Sequence, residues 1–329
     1  MKTITRILLT AILASGATAQ GQESSAYSKA AAAPLAEGFT GVQGADPDWY
    51  FLQKELAHLA TGPYWEGDYS NTASKTDPAP IIVDYHEKLK AAGVELLLIP
   101  VPPKASVYPD KFSTEAQPTA LAPFYAKLAE AGVQVIDLEP IFEAELEKDP
   151  AKTLYCEKDS HYSPYATQLV ADLIHQRYAD SDWVKAIEPD IEFVTGEEKT
   201  ITIDGDLLPA GKEDLTVVEV NNSDGEQVQP DDTDSPIILL GDSHTAVFSV
   251  GGELHCKAAG LPDHLQAKFG TKLEHIANFG SGTHNARVQL LRKGHQVPGF
   301  WDNKKLVIWH FSAREFTQAP KWANIPPKA

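Results

Sequence analysis

The chain is poor in cysteine, methionine and positive charge. Of its 329 residues, only Cys156 and Cys256 are cysteines and only Met1 is methionine, while 28 Lys and Arg stand against 46 Asp and Glu. Two lone cysteines cannot build a structural zinc site, and no C-x-x-C spacing is present. In an oxidising compartment they can form one disulfide, and a Cys156–Cys256 bond is expected. No H-E-x-x-H or comparable spacing of ligands occurs either, so no metal is expected. The formal charge of −18 argues against nucleic acid as a partner, since a polyanion is repelled at long range. Long apolar runs are missing too: the run ILLTAILASG near the N-terminus is roughly half the ~20 residues needed to cross a bilayer.

What that N-terminus does contain is a basic segment (MKTITR), the short apolar run, and a small-residue site (ATA) before Gln20. This is the pattern of a secretory signal peptide, residues 1–19, removed after Ala19. The alternative is an uncleaved signal serving as an anchor. Losing Lys2 and Arg6 would take the formal charge from −18 to −20. Residues 20–45 are rich in Ala, Ser, Gln and Gly and read as a linker that need not pack. A single domain is expected over 46–329.

The domain reads as alternating helices and buried strands. In DWYFLQKELAHL a short strand runs into a helix. The spacing of Ile82, Tyr85, Leu89 and Ala92 predicts a helix over 81–92, closed by Gly93. The apolar run Val94–Val101 then predicts a strand covered on both faces, ended by Pro102 and Pro103. A helix over 121–131 and a strand over 133–138 repeat the unit, and Pro164–Tyr178 is a further helix with an apolar stripe. About 190–235, β-branched segments between acidic, Asn- and Gly-rich turns predict a small antiparallel insertion. Buried strands resume at Pro236–His244, in KLEHIANFGSG, and over Lys305–Phe311. The whole is an α/β fold with a mostly parallel central sheet.

Reactive groups in such sheets gather at the carboxyl ends of the strands. Gly241-Asp242-Ser243 lies just past Ile237–Leu240, so Ser243 is placed to act as a nucleophile. Serine needs a base, and His161 in KDSHYSPYA has Asp159 two residues before it to hold its tautomer. Ser160 or Ser163 capping the helix at Pro164 would fix the same turn. Donors for a developing oxyanion are the Ser243 N–H, the Asn278 side chain, and Gly280 or Gly282 in the loop after a strand. His244 is a candidate substrate contact; His86, His255, His264, His275 and His295 read as solvated or local packing residues.

Several segments resemble a known family. Asp48-Trp49-Tyr50-Phe51-Leu52 with Glu55-Leu56, Val101-Pro102-Pro103-Lys104 with Val107-Tyr108-Pro109-Asp110, Asp159-Ser160-His161-Tyr162, Gly241-Asp242-Ser243, and Val307-Ile308-Trp309 with Arg314-Glu315 are similar, in order, to the motifs of the SGNH-like polysaccharide O-acetyltransferases of the alginate AlgJ and AlgX type. In that family, as here, Asp and His precede Ser. Tyr162 departs from the pattern, standing where the family usually has Trp. Nothing after Trp322 resembles the carbohydrate-binding domain of the AlgX type, so a catalytic domain alone is expected.

The resemblance implies an SGNH-hydrolase-like three-layer α/β/α fold and a periplasmic enzyme without a cofactor. Ser243 would take an acetyl group, supplied by a membrane-bound partner, and pass it to a polysaccharide hydroxyl. Trp309, Tyr162 and Tyr108 would stack on sugar, and Arg314 or Lys104 would contact its polar or acidic groups. A carbohydrate acetylesterase using the same residues, or a non-catalytic polysaccharide-binding subunit, are the alternatives.

Overall fold

The computed structural model describes residues 20–115, 118–189 and 191–328. The expected signal segment, 1–19, lies outside the described residues. In chain order the strands are β1 (Gly41–Gln43), β2 (Tyr50–Leu52), β3 (Glu95–Val101), β4 (Gln134–Val135), β5 (Phe193–Asp204), β6 (Lys212–Asn222), β7 (Ile237–Gly241), β8 (Val250–Gly251), β9 (Leu254–Lys257), β10 (Glu274–Ala277) and β11 (Leu306–Ser312). Five of them form a parallel sheet in the order β10-β7-β11-β3-β4. The others pair as antiparallel ribbons, β1 with β2, β5 with β6, and β8 with β9.

The continuous apolar runs become strands because both faces of the sheet are covered. Leu97, Ile99, Ile237, Leu239, Leu306 and Ile308 point into one core, beneath the helices Pro164–Tyr178 and Leu261–Phe269. Their alternates, Leu96, Leu98, Ile238, Leu240, Val307 and Trp309, point into a second core under Ala79–Ala91, Ala122–Glu130 and Asn285–Gln296. This is the three-layer α/β/α arrangement. Fully burying each such Leu, Ile or Val contributes about 1.5–3 kcal/mol.

Local signals set the helix ends. The Ser163 Oγ accepts the Ala166 N–H at 3.1 Å, and Pro164 takes the first helical position. Gly93 follows the helix Ala79–Ala91 in the left-handed region, φ +76°, which lets the Val94 N–H turn back to the Leu89 carbonyl at 3.0 Å.

Three expectations are corrected here. Residues 20–45 are no loose linker: Gln20–Ala32 is helical, and Tyr27, buried, stacks on Phe112 with ring centroids 5.1 Å apart. The strand expected over 133–138 shrinks to Gln134–Val135, because this edge strand pairs with β3 at only two positions. The Cys156–Cys256 disulfide is absent. Both thiols are free, Cys156 Sγ lying against the Tyr162 carbonyl and Cys256 Sγ against that of Phe248. Among the described residues no helix is long and apolar enough to cross a membrane.

Candidate active site

All five sheet strands run the same way, so their carboxyl ends share one edge. The loops after β7, β10, β11 and β3 meet there. At the end of β7 the residue must be glycine for a steric reason, not a torsional one: a Cβ on Gly241 would sit 1.8 Å from the His310 carbonyl oxygen of β11. The chain then turns at Asp242 into a single 3-10 turn, Ser243–Thr245. Asp242 Oδ1 accepts the His244 N–H at 2.9 Å and faces His244 Nδ1 at 3.1 Å; its Oδ2 accepts the Ser312 N–H at 2.8 Å. The turn carrying Ser243 is thereby strapped to the end of β11. Burial would raise the Asp242 pKa, but His244, Arg314 and the Ser312 amide hold it well below the usual range.

His161 arrives on the segment before the helix Pro164–Tyr178, where Tyr155 bridges Tyr162. Its Nδ1 lies 2.6 Å from Asp159 Oδ1, and its Nε2 lies 2.8 Å from Ser243 Oγ. Asp159, His161 and Ser243 are thus one chain of hydrogen bonds. Asp159 is wholly buried, yet four donors serve it: the His161 N–H and ring on Oδ1, and the Asp206 N–H and His255 Nε2, both at 3.0 Å, on Oδ2. Burial pushes its pKa up, and the hydrogen bonds and charges of His161 and His255 override this, leaving it well below the usual range.

The β5–β6 ribbon fastens this segment. Asp206, in its turn, accepts the Ser160 N–H and Oγ–H, each at 2.6 Å, and Glu213 accepts the N–H groups of Glu157 and Lys158. Asp159, His161 and Asp206 bring ligand-type atoms within 4.8 Å of one another. Asp159 Oδ1 and both Asp206 oxygens already accept the hydrogen bonds just described, so the group is an internal network.

The structure removes several expected sugar contacts. Trp309 is fully buried, its Nε1–H donating to the Gly282 carbonyl. Tyr162 is buried as well, its hydroxyl donating to the His244 carbonyl at 2.7 Å and its ring stacking on His244. Tyr108 is only half-buried, so the structure does not remove it; its ring packs on Trp49 and its hydroxyl accepts the Leu154 N–H. His244 is 1 % exposed and bound to Asp242. Gly282 cannot offer its N–H to an oxyanion, because Glu315 Oε1 accepts it at 2.9 Å. Burial lifts the Glu315 carboxyl to about 7. Asn278, Gly280 and the Ser243 N–H remain. Asn278 follows Ala277, which pairs with Gly241, and its own N–H bonds the Gly241 carbonyl at 2.9 Å. Arg314, bonded to Glu55, lines a cavity of about 360 Å³ with Gly280, Gln53 and Lys54.

Lys104 is the largest correction. No part of it is exposed, and Nζ lies 2.6–3.2 Å from the carbonyls of Tyr50, Cys156, Glu157 and Asp159. It is an internal cation that gathers the His161 segment onto β2. Replacing Lys104 with Met fills the space but leaves the carbonyls without their donor. We expect a loss of about 3 kcal/mol or more and a melting temperature lower by about 5–10 °C. Calorimetry showing less than about 2 °C would contradict this role.

His255, expected to be a solvated or local packing residue, instead reaches Asp159 Oδ2, because its place depends on the β8–β9 ribbon, which no periodicity announced. His275 donates to or accepts from Thr245 Oγ1 at 2.8 Å, and His86 and His264 are buried, as packing residues.

The profile of the family described as "SGNH hydrolase-like domain, acetyltransferase AlgX" matches residues 42–313. A probable alginate O-acetylase AlgJ from Pseudomonas fluorescens is 27% identical over 231 residues, covering 64% of this chain and 55% of that protein. The alginate biosynthesis protein AlgX of Pseudomonas putida is 26% identical over 296 residues, covering 84% of this chain and 57% of its own. The chain therefore spans a little over half the length of these relatives. Among solved structures, the O-acetyltransferase domain of Pseudomonas putida AlgJ aligns with a TM-score of 0.62 at 20% identity, covering 85% of this chain and 92% of that one, a likeness of fold. With residues 42–313, most of its length, matched by the family model, the chain belongs to the AlgX family of SGNH hydrolase-like acetyltransferase domains.

Proposed function

We propose that the protein is an exported O-acetyltransferase that moves an acetyl group through Ser243 onto hydroxyls of an exopolysaccharide, alginate-like or other. The observation that carries this reading is the hydrogen-bonded chain Asp159–His161–Ser243 at the carboxyl edge of the sheet. His161 Nε2 takes the Ser243 proton as Oγ bonds to the carbonyl carbon of the donor. The bond to the donor's leaving group breaks, and that group leaves with the proton. A sugar hydroxyl then gives its proton to His161 and attacks the acetyl-serine ester, and Ser243 Oγ leaves and is reprotonated. The Ser243 N–H, with the Asn278 side chain or the Gly280 N–H, would hold the oxyanion of each tetrahedral intermediate. Export follows from residues 1–19 acting as a signal peptide, with the periplasm as destination and a membrane-bound partner as source of the acetyl group.

Incubation with p-nitrophenyl acetate and oligosaccharide acceptors tests the reaction class. Acetylated sugar is expected. Release of acetate with no acetylated sugar, across acidic and neutral acceptors, would replace this reading with an esterase.

The rate should depend on pH through His161, which must be neutral to accept a proton. Burial lowers its pKa, but the hydrogen bond and charge of Asp159, with Asp206 and Asp242, outweigh burial and raise it above the ordinary 6.5. kcat/KM should therefore rise with pH along an acid limb centred above 6.5. Linked stability runs the opposite way. Because the folded pKa exceeds the unfolded one, the stabilising imidazolium–Asp159 pair is fully present below 6.5 and is lost as pH rises through the folded value. A limb centred at 6 or lower would refute this electrostatic account.

A further inference from the structure

After the turn bearing Ser243, the chain does not go straight into the next helix. It makes the tight ribbon β8–β9 first, and that ribbon delivers His255 to the far side of Asp159. The detour is strained. His255 sits at φ +73° and Phe248 at φ +63°, both non-glycine residues in the left-handed region, and their rings lie 5.5 Å apart. Such conformations are rare for bulky residues and persist only where the surroundings enforce them. Here the His255 N–H bonds the Gly252 carbonyl, the Phe248 N–H bonds the Leu254 carbonyl, and Phe248 is fully buried. The outcome of that strain is one contact, His255 Nε2 to Asp159 Oδ2 at 3.0 Å. Asp159 thus lies between two imidazoles, His161 on Oδ1 and His255 on Oδ2.

We propose that His255 is a positioning residue for acyl transfer: as a hydrogen-bond donor to Asp159 Oδ2 it fixes the plane of the carboxylate that orients His161. This rests on Ser243 being the nucleophile. Without His255, Oδ2 keeps, among the described residues, only the Asp206 N–H, and the carboxylate can rotate about its last torsion away from His161 Nδ1. It also becomes a stronger base, so its attraction for a proton on His161 grows. The other charged or titratable groups around His161 are Asp206, Asp242 and His244; Lys104 reaches Asp159 from behind through its carbonyl. Around His255 they are Asp204, Glu253 and Cys256, which line a cavity of about 410 Å³ with it. None of them replaces the donor on Oδ2.

Two variants separate positioning from folding. Asn accepts a left-handed backbone but is too short for its amide to reach Asp159; Gln places an amide N–H near the position of the imidazole Nε2. With the purified chain and p-nitrophenyl acetate, His255→Asn should fold and lose roughly 10- to 100-fold in kcat/KM, the worth of one hydrogen bond to a buried charge. Its acid limb should move to higher pH. His255→Gln should recover most of the rate and return the limb. If His255→Asn stays within twofold of the parent with its limb unmoved, or if Gln and Asn lose equally, the inference fails. The serine reading has its own control in the parent protein: absence of acetyl on the Ser243 peptide there would overturn that reading before either variant is compared.

Discussion

Ser243→Ala should lower acetyl transfer by about 10⁴-fold or more, leaving a residue of rate from substrate binding and oxyanion donors. The magnitude follows from the geometry. Among the described residues Ser243 Oγ is the hydrogen-bond partner of His161 Nε2, so on the proposed mechanism its removal leaves His161 with nothing to activate except water. The fold should be unchanged: Ser243 is partly exposed, and the turn is held by Asp242, Thr245 and Ser312, not by the hydroxyl. A melting temperature within about 2 °C of the parent, measured beside the rate, identifies the loss as chemical. A variant that kept a tenth of the parent rate would exclude Ser243 as nucleophile.

Asp159→Asn should cost a comparable factor, about 10⁴-fold, for a different reason. An amide in place of the carboxylate presents either an oxygen or an NH₂ to His161. Besides the His161 ring, three groups donate to Asp159, namely the N–H groups of His161 and Asp206 and the His255 ring. Asn has one accepting oxygen for positions on both sides, so an NH₂ must face a donor. Where it faces His161 Nδ1, the imidazole adopts the tautomer with Nδ1 unprotonated, and its Nε2–H then points at Ser243 and cannot accept a proton. The variant should also be less stable, by about 1–3 kcal/mol for a donor left unpaired. Rate loss without that destabilisation would mean the network has rearranged.

Much of this was legible in the sequence, for identifiable reasons. The strands around Leu97, Leu239 and Ile308 are buried on both faces, so each reads as an unbroken apolar run. Asp159 and His161 sit just before a helix whose cap and proline are local signals, and Ser243 ends a buried strand. The parts that were not legible depend on contacts distant in the chain. The helix Gln20–Ala32 is polar and Ala-rich, with Tyr27 as its buried anchor, and composition alone gives it no reason to pack. Lys104 looks like a surface cation until four carbonyls from β2 and the His161 segment converge on it. Trp309 and Tyr162 look like sugar platforms, yet aromatics within or beside buried strands fill the core. His255 is hidden because a left-handed backbone at a histidine follows no pattern in sequence.

The central claim is that Ser243 carries the acetyl group. Rapid quenching of the protein with p-nitrophenyl acetate, followed by proteolysis and peptide mass spectrometry, should place one acetyl on the peptide containing Ser243. His161→Ala should abolish that adduct, and adding an oligosaccharide acceptor should discharge it. Acetyl found on another residue, or transfer to sugar at the full rate by Ser243→Ala, would contradict the account.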